Sequence, residues 1–207
     1  MLYVFLVLSN ERRRVIHFNA TESPIAAWIG QQIIEAFPWD TAPRYLIRDR
    51  DKKYGDKFIR SLESMDIEQV LISARSPWQN PYVERVIGSI RRECLDHTII
   101  FNENHLRRVL KEYFRYYHES RTHLGLEKDC PEPRPVESVD SGRVQAEPVV
   151  GGLLIATIAR LLNSGCIGIK FHHWINLPRF AIIFHLTASV HYLAYKTDFF
   201  AEGLPLL

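Results

Sequence analysis

Residues 2–8 are apolar almost without interruption, and Ser9, Asn10, Glu11 and Arg12 follow at once as turn formers. The run is one strand long, has no basic segment before it and no small-residue cleavage site after it, so it reads as a core strand and not as a leader. A second β-type run, Val15, Ile16, His17 and Phe18, makes the pair a hairpin. Ser23 then offers a helix N-cap with Pro24 at the first helical position, and Ile25, Trp28, Ile29, Ile33 and Phe37 recur at helical spacing until Pro38. Tyr45, Leu46 and Ile47 form a short strand that runs into Arg48-Asp49-Arg50-Asp51; Phe58, Leu62 and Met65 mark a helix, and residues 69–72 another strand. Strands alternating with helices predict an α/β fold, a mixed, partly parallel sheet flanked by helices.

Two longer helices follow. Asn80 reads as an N-cap with Pro81 behind it, and Val83, Val86, Ile87, Ile90 and Cys94 form one apolar stripe. At about 100° per residue, Glu84, Gly88 and Arg91 lie on a line bordering that stripe, with Arg85 and Arg92 further round toward solvent. Leu106, Val109, Leu110, Tyr113 and Tyr117 repeat the stripe behind a cap at Asn102, and Arg107, Arg108, Lys111 and Arg115 occupy the outer face.

Charge divides the chain. Of 26 basic and 24 acidic residues in 207, only seven lie from Glu147 onward. Between the two regions, Pro131, Pro133, Pro135 and Pro148 with Ser and Gly read as an extended linker, so we expect a core over 1–136, a linker over 137–150 and a hydrophobic tail over 151–207. The apolar runs of the tail at 149–159 and 180–195 fall short of the roughly 18–20 uninterrupted apolar residues of a bilayer span, so no membrane association is expected. The net charge of +2 permits nucleic acid as a partner without arguing for it. Three dispersed cysteines fit a reducing cytoplasm, and the scatter of Cys166, His172 and His173 has no metal-site spacing.

The candidate chemistry lies in two acids. Phosphodiester hydrolysis or transesterification is served by divalent cations held by carboxylates on rigid elements. Asp49, just past a short strand, and Glu84, in the first turns of a helix, are 35 positions apart (84 − 49) and can converge if that helix packs beside the strand end. Each has a plainer explanation: alternating Arg and Asp in a loop are usually solvated, and an acid near a helix N-terminus is favoured by the macrodipole alone. Lys52, Lys53, Arg85, Arg91 and Arg92 lie near the acids and are candidates for DNA phosphates, although solvent-facing basic residues are more often only solubilising. Trp78 either covers a core edge or stacks on a displaced base.

The segment Leu46-Ile47-Arg48-Asp49-Arg50-Asp51-Lys52-Lys53-Tyr54-Gly55, the later Ser76-Pro77-Trp78-Gln79-Asn80-Pro81-Tyr82-Val83-Glu84-Arg85, and the closing Tyr117-His118-Glu119-Ser120-Arg121-Thr122-His123-Leu124-Gly125-Leu126 together resemble the integrase core family of retroviral integrases and bacterial insertion-sequence transposases. The resemblance covers roughly 1–136. It implies an RNase H-like fold, a DDE triad binding two Mg2+ or Mn2+ ions, and a bacterial cytoplasmic enzyme of a mobile element. Its partners would be DNA, as element ends and target, and further copies of itself, with no small-molecule substrate. Asp49 matches the second acid and Glu84 the third; Asp51 is a rival for the second, and the distance to Tyr54 favours Asp49. In the family the first Asp lies on a strand ahead of the hairpin, whereas Met1 opens directly in what reads as the second strand; neither Glu11 nor Asp40 matches that position. The expectation is therefore an incomplete catalytic core with little strand transfer of its own, or, as the alternative, an inactive remnant that keeps some nucleic-acid binding.

Overall fold

The opening apolar run becomes β1 (Leu2–Ser9), buried at seven of its eight positions, as only a strand covered on both faces can be. It pairs antiparallel with β2 (Val15–Thr21), in register from Tyr3 opposite Thr21 to Leu8 opposite Val15, with a bulge at Val7/Leu8. The hairpin turn places Arg13 in the left-handed region at φ 58°. The computed structural model describes residues 1–38, 41–51, 53–133, 143–160 and 180–188. Asp40, Lys52 and the group Cys166, His172 and His173 lie outside them.

β3 (Tyr45–Arg48) and β4 (Glu68–Leu71) are parallel neighbours joined through helix α2 (Asp56–Ser64). Between β1 and β3 lies a strand from the hydrophobic tail, β7 (Phe180–Ala188). It runs antiparallel to β1 from Leu2 opposite Ala188 to Ser9 opposite Ala181, and parallel to β3 from Tyr45 opposite Phe180 to Ile47 opposite Ile182. The five-stranded order is β2-β1-β7-β3-β4. The fold is thus a mixed α/β sheet flanked by helices, with its central position filled from the far end of the chain.

Helices cover both faces. Phe5, Val7 and Leu46 pack with Ile29 and Ile33 of α1 (Ala26–Ala36) and with Phe58 and Leu62 of α2. Val4, Leu6 and Leu8 pack with Val83, Val86 and Ile90 of α3 (Pro81–Glu93) and with Leu106, Leu110 and Tyr113 of α4 (Glu103–Glu119). Asn102 caps α4 by accepting from the His105 N–H at 2.8 Å. Asn80 holds the N-cap position of α3 with Pro81 behind it, but its buried amide makes no hydrogen bond. Helix α1 begins two residues later than a cap at Ser23 suggested. The Ser23 N–H donates to Thr21 Oγ1 and the Ile25 N–H to the Ser23 carbonyl, so the chain spends 23–25 in a tight turn, and Ile25 is the extended cap residue.

Beyond the core, the stretch that composition reads as linker contains β5 (Arg143–Val149), which pairs antiparallel with β6 (Leu154–Arg160) in a separate hairpin. Val150, Leu153 and Leu154 at its tip pack on the α3/α4 side of the core. Among the described residues no helix is long and apolar enough to cross a membrane.

Candidate active site

The parallel strands end on one edge of the sheet, and the residues beyond them build a cleft. Asp49 follows the last residue of β3; Glu84 lies in the first turn of α3, whose buried stripe clamps that helix against the same sheet. Both acids line a cleft of about 340 Å³ with Arg50, Asp51, Ile72, Ser73, Ala74, Arg75 and Ser76. Asp49 Oδ1 and the Tyr54 hydroxyl are both buried and engage each other, the hydroxyl drawing the carboxyl down and the carboxylate pushing the hydroxyl up, although neither makes a hydrogen bond of full geometry. Burial pushes the carboxyls of Asp49 and Glu84 above the usual carboxylate range, and at Glu84 the charge of Asp49 adds to it. The Tyr54 hydroxyl is pushed up too, first by burial.

Arg48 fixes the strand end. Its side chain is buried, donates from Nε to Gln69 Oε1 at 2.9 Å and from Nη1 to the Asp49 carbonyl at 3.0 Å, and lies over the rings of Tyr54 and Phe58. The backbone that carries Asp49 is therefore anchored from beneath. Asp51 shares the cleft but is already engaged: its Oδ1 accepts from the Lys53 N–H at 2.9 Å and its Oδ2 lies 3.7 Å from Lys53 Nζ.

The basic residues fall less simply. Lys53 is held between Asp51 and the face of Tyr3, 4.6 Å from the ring centroid. Arg85, Arg91 and Arg92 are exposed along α3, with Arg92 folded back over Gly88, and none of the three lines the cleft. The cations that do are Arg50, whose Nε donates to the Ile72 carbonyl at 3.0 Å, and Arg75, in the left-handed region at φ 57°. Sequence reasoning passed over both. Arg50 stood inside the Arg-Asp-Arg-Asp run and could have been weighed there; the backbone twist of Arg75 leaves no trace in composition or periodicity.

Residues 65–131 match the integrase core domain family. That match takes in about a third of the chain. An uncharacterized 39.2 kDa protein of insertion element IS476 from Xanthomonas euvesicatoria is 28% identical over 136 residues, 59% of this chain and 39% of that protein, so the chain spans well under half of its relative. A chain of the simian T-cell lymphotropic virus intasome in complex with PP2A regulatory subunit B56 gamma superposes with a TM-score of 0.48 at 14% identity, over 69% of this chain and 54% of that one. Within the matched residues lie Glu84, the cleft wall at 72–76 and the closing run from Tyr117 to Leu126; Asp49 precedes them.

The run from Tyr117 to Leu126 is a clasp on α3. Arg121 grips Glu93 through Nε to Oε2 at 2.8 Å and a second bond from Nη2, while Nη2 also reaches Ser89 Oγ at 3.2 Å and Tyr113 donates to Glu93 Oε2 at 2.8 Å. Burial alone would raise the Glu93 carboxyl, but the Arg121 and Tyr113 hydrogen bonds outweigh it and hold it below its usual range. His123 sits edge-on to Tyr117, and Gly125 lies where any Cβ would run into the Arg13 guanidinium stacked on Tyr82. The signature residues thus fix the far end of the helix whose first turn carries Glu84.

Proposed function

We propose that this chain is the catalytic core of a DDE-type recombinase that joins DNA ends of a mobile element to target DNA, with Asp49 and Glu84 as ligands of a divalent metal, Mg2+ or Mn2+. The observation that carries the reading is the convergence of two half-buried acids, Asp49 and Glu84, on one cleft, near enough for the charge of Asp49 to raise the Glu84 carboxyl. Two carboxylates brought together and partly desolvated repel each other, and a divalent cation between them relieves that repulsion. The donor set is two hard carboxylate oxygens on rigid elements, which fits a magnesium-class ion held by one or two carboxylates together with water and phosphate oxygens. Such an ion, when bound, polarises the scissile phosphodiester and makes a better nucleophile of water or of a DNA 3′-hydroxyl. The chain's own residues hold that site: Arg48 fixes the backbone of Asp49, the clasp on Glu93 sets the axis of α3, and Arg50 and Arg75 supply positive charge for phosphate at the mouth. The assembly would be a homo-oligomer on DNA in the cytoplasm.

A second reading, a remnant that binds nucleic acid without chemistry, is favoured by the donor count. Among the described residues no three His, Cys, Asp or Glu side chains converge where they could hold a metal. On that count we expect little or no joining of labelled DNA ends by the purified chain alone; robust magnesium-dependent joining would overturn the expectation.

Metal binding itself separates the readings. With a dissociation constant of about 1 mM, 10 mM magnesium would stabilise the fold by about 1.4 kcal/mol, or roughly 4 °C in thermal midpoint for a chain of this size. Asp49→Asn and Glu84→Gln should lose that response. Without metal both variants should melt no lower than the parent at neutral pH, because each removes a carboxylate that burial makes costly to ionise. A magnesium shift that survives both substitutions places the ion elsewhere and refutes the site.

A further inference from the structure

Tyr54 is held from three sides. It is 7% exposed, its N–H donates to the Asp51 carbonyl at 3.3 Å, and its ring packs on Phe58 at 4.8 Å between centroids. The Arg48 guanidinium lies over its face, 4.9 Å from the centroid, and the same guanidinium donates to the Asp49 carbonyl at 3.0 Å. One arginine therefore fixes both the ring of Tyr54 and the backbone of Asp49. The phenol hydroxyl and Asp49 Oδ1 come to rest together in the interior, and neither atom has a hydrogen-bond partner elsewhere among the described residues. Burial raises the Asp49 carboxyl, while the Asp51 N–H and the Tyr54 hydroxyl draw it back down.

The pairing divides the carboxylate. An ionised carboxylate has two acceptor oxygens, and a buried hydroxyl with no other acceptor occupies one of them. The carboxylate also resists rotation, since turning it would strip that hydroxyl of its acceptor. Asp49 lines the cleft, so it offers the cleft one oxygen instead of two. Cations differ in what they do with such a ligand. Magnesium demands near-octahedral geometry and is bound through one or two carboxylates with waters, whereas calcium takes six to eight oxygens and accepts carboxylates bidentately. A single fixed oxygen suits the first and deprives the second.

We infer that Tyr54 is a selectivity residue for the divalent ion: its hydroxyl holds Asp49 Oδ1, leaves Oδ2 alone to the cleft, and so sets the site for Mg2+ or Mn2+ against Ca2+. The inference rests on the metal reading above and adds to it which ion the Asp49 carboxylate admits. Tyr54 acts through Asp49, as a positioning residue.

The test uses the full chain, with thermal midpoints read across Mg2+ and Ca2+ titrations to give a dissociation constant for each ion. Tyr54→Phe keeps the ring under Arg48 and removes only the hydroxyl. In that variant the ratio of the calcium to the magnesium dissociation constant should fall about ten-fold, the worth of one hydrogen bond to a charged oxygen, because both carboxylate oxygens become free for the larger ion. A merely structural role would lower the midpoint and weaken both ions alike, so a ratio that stays the same or rises overturns the inference. The metal reading then still stands if the magnesium response is lost in Asp49→Asn. A parent chain that responds to neither ion, or a magnesium response that survives Asp49→Asn, removes both.

Discussion

Substituting proline for Ile182 should abolish the cooperative unfolding transition of the whole core, although the residue lies in a tail remote in sequence from the strands and helices it joins. The backbone of Ile182 is paired on both sides, opposite Leu8 of β1 and Ile47 of β3. Proline has no N–H to give to the ladder and is confined to edges and bulges, so in a strand flanked on both sides it leaves a buried carbonyl unpaired at a cost of about 1–3 kcal/mol, before any strain from its ring. The larger loss is topological. Without β7 the sheet separates into the β1–β2 hairpin and the β3–β4 pair, and β1, buried at seven of eight positions, presents a row of unbonded backbone groups within the core. Against a total stability of about 5–15 kcal/mol, that deficit is decisive. The same outcome is expected for a chain ending at residue 160: loss of a sharp thermal transition, with dye-binding apolar surface exposed. A truncated chain that melts cooperatively at the parent's midpoint would show that β7 is not a working member of the sheet.

This strand also marks the limit of what the sequence discloses. The β1–β2 hairpin, the starts of α3 and α4 and the stripe from Val83 to Cys94 are local features, written in apolar period and cap residues, and they were legible. So was the approach of Asp49 to Glu84, because an acid after a parallel strand and an acid in the first turn of the helix packed on that sheet have few other places to be. The apolar run that contains β7 is equally visible, but pairing between residues 8 and 182 leaves no local signature, and composition reports only an apolar tail. Proline content likewise reads 137–150 as linker, while β5 runs through part of it; at Pro148 a hairpin strand tolerates the missing donor. Arg48 looks like one more charge in a polar loop until the sheet buries it under Asp49. Whether a loop arginine lies in the left-handed region, as Arg75 does, is decided by the closure of the loop around it and not by its neighbours in sequence.

Between pH 6.5 and 4 the protein should lose several kcal/mol of stability, most of it through two histidines of the clasp. His118, at the end of α4, accepts the Val15 N–H on Nε2 at 3.0 Å, a bond that exists only while that nitrogen carries no proton. His123 is 5% exposed; its Nε2 has no partner, and Arg121 Nη1 lies 3.4 Å from its Nδ1. Burial, with Arg14 and His123 near His118, and with Arg121 and Arg13 near His123, lowers each from 6.5 to about 4. A histidine whose folded pKa is depressed favours the folded state fully above its unfolded pKa and loses that preference as pH falls toward the folded one, because the unfolded chain takes up the proton first. At about 1.4 kcal/mol per unit this is on the order of 3 kcal/mol for each ring by pH 4. Glu93, held low by Arg121 and Tyr113 against its burial, withdraws its contribution at still lower pH. Asp49 and Glu84 act in the opposite direction, since their raised carboxyls are relieved by protonation, and they blunt the decline without reversing it. Urea unfolding at pH 7, 5.5 and 4.5 measures the slope. His123→Phe, which keeps a ring against Tyr117 and cannot be protonated, should remove roughly half of it. A flat profile in the parent would mean that both imidazoles titrate as freely in the folded chain as in the unfolded one.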